Sequence, residues 1–131
     1  FASLAEHLSE GKGIIRRPYC IVAGGETTVT VTGRGKGGRA QEFAAAAACK
    51  IAGLHKVWVV AIGTDGTDGP TDVAGALVSG ATLNQAKRKG VNLRRALSEH
   101  NTYPALHALK SHIVTGPTGT NVNDLYLLLA L

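Results

Sequence analysis

Residues 27–41 read T-T-V-T-V-T-G-R-G-K-G-G-R-A-Q, and this stretch decides the expected fold. Threonine and valine alternate over residues 27–32, a β-branched pattern that predicts a strand. Glycines alternate with basic residues over 33–39, and the alanine-rich residues 40–49 then predict a helix. A strand, a basic glycine loop and a helix N-terminus together favour binding of a phosphate or carboxylate, because free N–H groups and the helix dipole attract anions.

Arg39 is the strongest single indication of this anion site. A cation in the first turn of a helix opposes the helix dipole unless an anion lies there too. A solvated turn with ordinary surface charges is the alternative interpretation. The residues predicted to bind the anion are Gly35, Lys36, Gly37, Gly38 and Arg39.

The same loop also matches the letters of a dinucleotide-binding motif, Gly-x-Gly-x-x-Gly, at residues 33–38. That motif needs an acidic residue about 20 positions later to bind the ribose, but residues 54–57 read L-H-K-V. A Walker phosphate loop is excluded because Gly37 follows Lys36 where Ser or Thr is required.

Composition bounds the class of protein. A length of 131 residues predicts one domain, and a formal charge of +5 favours anionic ligands without forming a nucleic-acid tail. The cysteines Cys20 and Cys49 match no metal or redox spacing, which predicts buried free thiols in a reducing compartment. No signal peptide or membrane span is apparent, so we expect a cytoplasmic protein with no membrane partner.

The remaining pattern predicts an α/β fold. An apolar stripe predicts a helix over residues 1–8, ended by Gly11 and Gly13. Residues 19–23 predict a strand that pairs with 27–32 as a hairpin. The apolar run 57–62 predicts a central strand covered on both faces, reached from 27–32 by a right-handed parallel crossover through the alanine helix.

Further elements complete the expected sheet. Helices are predicted near residues 73–78, 81–89 and 93–100, and another begins at Asn101 or Thr102 with Pro104 in its first turn. Strands are predicted over 112–115 and 125–131. The resulting prediction is a single α/β domain with a mixed parallel and antiparallel sheet flanked by helices.

Three polar loops each follow a predicted strand: residues 33–39, 63–72 and 116–124. Ligands of open α/β sheets bind beyond the carboxyl ends of strands, so we expect these loops to meet at one edge. The hypothesis is that Arg39, Asp65 and Asn121 point into one cleft.

The second and third loops suggest distinct chemistry. Asp65 and Asp68 suit Mg²⁺, which binds through one or two carboxylates and substrate phosphates, although ordinary turn chemistry explains them equally well. Asp72 is expected to cap the following helix. Thr118 and Asn121 are candidates to bind a carboxylate or phosphate, with an Asx-turn as the alternative. The histidines lack zinc-binding spacing and are predicted to be surface or packing residues.

Three motifs carry a family resemblance: G-G-E-T-T-V-T-V-T-G-R-G-K-G-G-R-A-Q-E at 24–42, G-T-D-G-T-D-G-P-T-D-V-A-G-A at 63–76, and T-G-P-T-G-T-N-V-N-D at 115–124. Together they resemble the MOFRL domain, the C-terminal domain of the class II glycerate kinases (the glycerate 2-kinase family). Some members of that family are labelled hydroxypyruvate reductase. The resemblance implies a connecting helix and linker over residues 1–18, from an absent N-terminal domain, and a MOFRL-like domain over 19–131.

The resemblance implies ATP-dependent phosphorylation of D-glycerate at its 2-hydroxyl, in a cleft between two domains. Arg39 matches an arginine that is regarded as catalytic in the family. The essential lysine that acts with this arginine belongs to the N-terminal domain. Ala40 stands where the family usually has Asn, which removes a donor and an acceptor beside Arg39 and leaves the substrate's orientation open.

Phosphoryl transfer depends mainly on positioning and charge neutralisation, which suggests roles for the candidate residues. Arg39 is expected to clamp the transferring group, while Lys36 and the amides of residues 35–38 hold phosphate or the glycerate carboxylate. Asp65 or Asp68 is expected to position Mg²⁺. Thr118 and Asn121 are expected to orient the substrate, and the chain without its N-terminal domain is expected to be inactive.

Two other functions compete with this one. The first is an NAD(P)-dependent hydroxypyruvate reductase, which the missing ribose-binding acid opposes. The second is a non-enzymatic anion- or RNA-binding module, which is opposed by the lack of aromatic residues for base stacking in residues 27–41. The sequence leaves open whether the chain forms a homo-oligomer.

Overall fold

A five-stranded sheet forms the centre of the computed structural model, which describes residues 1–10 and 15–131. Its strands are β1 (Tyr19–Gly25), β2 (Val57–Gly63), β3 (Gly75–Ser79), β4 (His112–Ile113) and β5 (Asp124–Ala130). They lie in the order β1-β5-β2-β3-β4. Every neighbouring pair is antiparallel.

Helices cover one face of this sheet. They are α1 (Ala2–Ser9), α2 (Arg39–Lys50), α3 (Thr82–Arg88), α4 (Leu93–Ser98) and α5 (Thr102–Ala108). The alanine-rich α2 packs directly on β2 and β3, and the other four helices contact α2. Ala44, Ala45 and Ala48 are fully buried, so their small side chains let α2 lie close to the sheet.

The register of β5 determines which of its side chains enter the core. Asp124 pairs with Gly25 of β1 and Gly63 of β2, and Leu128 pairs with Val59 of β2. Because strand side chains alternate, Asp124, Tyr126, Leu128 and Ala130 all face α2 and are buried.

The opposite face of the sheet is apolar and carries no helix within residues 1–10 and 15–131. Its side chains form transverse rows, because β1, β2 and β5 are in register. Val22 is 60% exposed and Leu77 is 43% exposed on this face. The larger side chains of the open face are Cys20, Val22, Trp58, Val60, Ile62, Leu77, Leu125, Leu127 and Leu129.

The α/β class and the single domain are confirmed, but the mixed sheet is wrong because the sheet is wholly antiparallel. Residues 27–32 form no strand, so neither the hairpin with β1 nor the parallel crossover exists. β5 occupies the place between β1 and β2 instead. β1 and β2 therefore run in the same direction without touching, a long-range insertion that local patterns do not reveal.

Two local predictions also fail. Residues 73–78 were expected to be helical, but Gly75–Ser79 is β3, which pairs with β2. Asp72 consequently caps no following helix, and its carboxylate accepts a hydrogen bond from the Tyr103 hydroxyl. Both cysteines are free, but neither is fully buried. Cys20 is exposed because it lies on the open face of the sheet, and Cys49 on α2 is partly exposed.

The other predicted elements are confirmed within one to three residues at their ends. Asn92 accepts a hydrogen bond from the Arg95 N–H and caps α4, and Asn101 precedes α5. Gly11 and Gly13, expected to end α1, lie outside the described residues. In the part of the chain that is described, no helix has the length and apolar character needed to span a membrane.

Neighbouring leucines of β5 test which face of the sheet is the core. Leu128→Ala should destabilise the fold by about 2–5 kcal/mol, because Leu128 is fully buried against α2 and its loss leaves a cavity. Leu127→Ala, on the open face, should cost about 1 kcal/mol or less. Urea unfolding followed by circular dichroism measures both, and equal losses would contradict the assignment of the two faces.

Candidate functional site

A cavity of about 660 Å³ lies at the end of the sheet where β1 and β2 finish and β5 begins. Such a volume is typical of small-molecule sites. Arg39, Asp65 and Asn121 all line this cavity, so the expectation that they surround one cleft is confirmed. The three loops meet there because the ends of these adjacent strands are level in the sheet.

Arg39 is the first residue of α2 and contacts two carboxylates. Its Nε donates to Asp124 Oδ2 at 2.7 Å and its Nη2 donates to Asp124 Oδ1 at 3.0 Å. Its Nη1 donates to Glu26 Oε1 at 2.6 Å. The hydrogen bonds from Arg39 to Asp124 raise the pKa of the guanidinium above its ordinary value. The Arg39 side chain is 37% exposed, so it remains accessible from the cavity.

Asp124 is held from behind by the aromatic core. The Tyr126 hydroxyl donates to Asp124 Oδ2 at 3.0 Å. That hydroxyl in turn accepts a hydrogen bond from the Thr27 backbone N–H at 3.3 Å. The Tyr126 ring packs against Phe43 of α2, with ring centroids 4.4 Å apart. Asp124 therefore has three donors, which compensate for its burial.

Asp124 and Glu26 were both missed by the sequence analysis. The available signal was the acidic side chain at the beginning of the apolar run that forms β5, since a buried strand rarely starts with an unpaired carboxylate. Glu26 follows directly after Gly25, the residue that pairs with Asp124. The register of β1 and β5 thus brings both acids to Arg39.

The N-terminus of α2 is already paired with a carboxylate of the chain itself. Asp68 accepts hydrogen bonds from the backbone N–H groups of Ala40 and Gln41, both at 2.9 Å. The Gln41 side-chain amide donates to the same carboxylate at 2.9 Å. Asp68 thus caps α2 from a distant loop. It accepts hydrogen bonds from backbone N–H groups that the sequence analysis expected to bind an external anion.

The glycines before α2 allow close packing within the chain. A Cβ atom at Gly37 would lie 2.3 Å from Thr102 Oγ1, and one at Gly38 would lie 2.3 Å from Asp68 Cγ. The loop can therefore lie against the start of α5 and against Asp68 only without side chains at these positions. Gly35, Gly37 and Gly38 do line the cavity, and anion binding by their amides stays a prediction.

Two predicted binding residues point elsewhere. The Lys36 ammonium lies 4.2 Å from the centroid of the Tyr103 ring, a cation–π contact, and Lys36 is not among the cavity-lining residues. The Tyr103 hydroxyl lowers the pKa of Asp72 by hydrogen bonding to it. The Thr118 hydroxyl donates to the Thr64 carbonyl and links two loops instead of lining the cavity. Substrate binding by Lys36 and Thr118 stays a prediction.

Asp65 offers a carboxylate at the cavity. Its Oδ1 accepts from the Thr67 N–H at 3.0 Å, and its Oδ2 accepts from the Asn121 amide at 3.3 Å. No group of three or more His, Cys, Asp or Glu residues suited to a metal occurs among the residues described. A single carboxylate such as that of Asp65 is compatible with Mg²⁺, because this ion needs only one or two protein carboxylates when phosphates complete its ligands. Asp68 fits less well, because it is only 4% exposed and its carboxylate already accepts three hydrogen bonds from α2.

A histidine and a glutamate add to the cavity wall. His100 Nδ1 lies 2.7 Å from Glu42 Oε1, and His100 Nε2 lies 3.3 Å from Thr32 Oγ1. Both His100 and Glu42 line the cavity. The prediction that every histidine serves only surface or packing roles did not anticipate this position.

The charges around the cavity are unbalanced toward the acidic side. The lining includes four carboxylate side chains and one guanidinium, although the chain as a whole carries a formal charge of +5. The acidic lining residues are Glu26, Glu42, Asp65 and Asp68. The cavity alone therefore lacks the excess positive charge that a polyphosphate requires.

The context of the glycine motif does not match a dinucleotide site. That motif must join a strand of a parallel sheet to a helix. Residues 27–32 form no strand, and every pair of the sheet is antiparallel. Gly33 and Gly35 instead pack against the backbone of Glu99 and His100.

These features define a two-layer α/β domain with an open, polar site at one end of its sheet. The chain belongs to the MOFRL family, whose family model matches residues 19–124. The glycerate 2-kinase of Pyrococcus horikoshii is 45% identical over 126 residues, which cover 95% of this chain and 28% of that protein.

Two further comparisons involve Thermotoga maritima. Its D-glycerate 2-kinase is 45% identical over 113 residues, covering 86% of this chain and 27% of the relative. A crystal structure of glycerate kinase from the same organism matches with a TM-score of 0.96 at 42% identity, covering 99% of this chain and 31% of that one. The chain thus spans less than a third of the length of these relatives.

Close packing at Gly38 provides a stability test. Gly38→Ala should destabilise the fold by about 1–3 kcal/mol, because the new methyl group collides with Asp68 and disturbs the cap of α2. Gly24→Ala is the control, since its nearest atom would be 3.9 Å away, and it should change stability by about 0.5 kcal/mol or less. Thermal and urea unfolding measure both variants, and an unaffected Gly38→Ala variant would refute the close contact.

Proposed function

We propose that this chain is the C-terminal part of a glycerate 2-kinase. The complete enzyme transfers the γ-phosphoryl group of ATP to the 2-hydroxyl of D-glycerate, and it needs an N-terminal domain for activity. In this proposal residues 1–18 connect that domain to a MOFRL-like domain over 19–131. Support comes from the family membership and from relatives named glycerate kinase, of which the chain spans less than a third.

The position of Arg39 carries the proposal. Its guanidinium is anchored at a cavity of small-molecule size and is partly exposed there. A guanidinium has five N–H donors, of which Asp124 and Glu26 accept three, so two remain for the oxygens of a substrate. Charge-assisted hydrogen bonds of this kind stabilise the negative charge that spreads over a phosphoryl group during transfer.

The acidic lining supports the need for a second wall. A triphosphate and a carboxylate cannot be neutralised by one guanidinium that already faces two carboxylates. The additional positive charge has to come from outside the described cavity. The N-terminal domain, to which the family resemblance assigns an essential lysine, is the source in this proposal.

The finer assignments also belong to the proposal. Mg²⁺ would bind at Asp65, with Asp68 as the less accessible candidate, and would neutralise phosphate charge when bound. Asn121 lies beside Asp65 and would orient the substrate, and Thr118 would act with it. The amides of Gly35, Gly37 and Gly38 would hold phosphate or carboxylate oxygens, with Lys36 nearby. Ala40 contributes no polar group there.

Arg39→Lys in the full-length enzyme tests the role of the guanidinium. We expect turnover to fall by about 100-fold or more, because an ammonium cannot keep the bidentate contact with Asp124 and also bind the substrate. Arg95→Lys is the matched control, since Arg95 lies on the exposed surface of α4 and pairs only with Glu99 among the described residues. Near-normal turnover of Arg39→Lys in a coupled ATP/glycerate assay would remove Arg39 from the chemistry.

The isolated chain tests the need for a second domain. Purified residues 1–131 should release no ADP above background with ATP, Mg²⁺ and D-glycerate, because half of the proposed site is absent. The full-length enzyme, measured in the same assay, is the positive control. Robust turnover by the fragment would contradict the two-domain site.

A further inference from the structure

The two carboxylates that contact Arg39 lie in different environments. Asp124 is 1% exposed and receives a third hydrogen bond from Tyr126. Glu26 is 50% exposed, and its one described hydrogen bond is the contact with Arg39 Nη1. Asp124 accepts from two guanidinium nitrogens, whereas Glu26 accepts from one.

These environments imply that the Arg39–Asp124 ion pair is stronger than the Arg39–Glu26 ion pair. Breaking a buried, bidentate pair leaves an uncompensated charge inside the protein, so the contact with Asp124 is costly to lose. An exposed ion pair contributes little to stability, because water screens the attraction between the charges and solvates both of them when they separate. The guanidinium is therefore held on the Asp124 side and exchangeable on the Glu26 side.

We propose that Glu26 is an internal substitute for the substrate, occupying the position on Arg39 Nη1 that a substrate oxyanion takes when the site is filled. Asp124 stays bound and acts as the positioning residue for Arg39. Binding then exchanges one carboxylate for another anion, so a singly charged ligand leaves the net charge in contact with Arg39 unchanged.

Charge balance favours this exchange over binding at only the two N–H groups of Arg39 that neither acid occupies. With both acids in contact, the group of Arg39, Asp124 and Glu26 carries a net charge of about −1, which repels an approaching anion. When Glu26 moves away, the guanidinium and Asp124 form a neutral pair with free N–H donors at the cavity. Glu26 follows the last residue of β1 and precedes Thr27, whose N–H is bound to Tyr126. Its side chain can therefore swing out while its backbone stays in place.

The ligand class is a small oxyanion, either a carboxylate such as that of D-glycerate or a phosphoryl group. This inference rests on the proposed function only in placing such an anion at Arg39. The two sources are separated by titrating D-glycerate and inorganic phosphate in parallel.

The decisive variant is Glu26→Gln in the 131-residue chain, titrated by calorimetry and by NMR of the Arg39 Nε–H group. We expect anion affinity to increase about fivefold, because an exposed ion pair of about 1 kcal/mol no longer competes. An increase for D-glycerate alone identifies the carboxylate, and an increase for phosphate alone identifies the phosphoryl group. No increase for either anion overturns the proposal.

Two controls separate release of Arg39 from a general change in charge. Asp65→Asn removes one negative charge from the same cavity without touching Arg39, and it should strengthen anion binding less than Glu26→Gln does. In an Arg39→Gln background, Glu26→Gln should produce no increase. A gain that persists without Arg39, or an equal gain from Asp65→Asn, shows simple electrostatics and refutes the substitution mechanism.

Asp124→Asn tests the fixed partner and should act in the opposite direction. Anion affinity should fall about tenfold or more, because Arg39 loses its bidentate anchor, and the Arg39 Nε–H signal should lose its protection from exchange. If this variant does not fold, the signs of the Glu26 experiments still decide the proposal. A kinase assay that fails while Glu26→Gln still strengthens binding would reject the proposed activity and leave this inference intact.

Discussion

The register between β5 and its two neighbours is the constraint on which the site depends. β5 pairs with β1 and β2 so that Asp124 lies level with Gly25 and Gly63. A shift by one residue would turn Asp124, Tyr126 and Leu128 to the open face and remove the anchor of Arg39. The same pairing therefore builds the core and positions the guanidinium. Core packing and site geometry are consequences of one hydrogen-bond ladder.

Carboxylates of the chain itself accept hydrogen bonds from several donors around the cavity. Asp68 caps the first N–H groups of α2, Asp124 anchors Arg39, and Glu42 contacts His100. Each contact fixes a donor in place before any ligand arrives, which reduces the reorganisation needed on binding. The cost is a cavity lined largely by negative charge. Such a lining disfavours a ligand with several negative charges unless cations from outside the cavity offset it.

Local signals predicted most elements and placed the three loops, whereas long-range pairing escaped them. The alanine run of α2 and the apolar runs of β2 and β5 were recognised because periodicity and propensity are properties of neighbours in sequence. The insertion of β5 between β1 and β2 joins residues more than a hundred positions apart, as Tyr19 and Ala130 show. The threonine–valine alternation of 27–32 predicted a strand, but β-propensity only describes a surface that fits a sheet if a partner is available. For Asp68 the local sequence suggested either a metal ligand or a turn residue, while its actual partners lie on α2.

The uncovered face of the sheet has a practical consequence. Trp58 is the chain's only tryptophan, and it lies on that face beside Leu129. The cavity lies at one end of the sheet, on the side that α2 covers, and no tryptophan lines it. The fluorescence of Trp58 therefore depends on the exposure of the open face to water. Ligand binding at Arg39 should not change it directly. Any molecule that covers the open face and excludes water from Trp58 should shift its emission maximum to shorter wavelength, so binding there can be detected without a label.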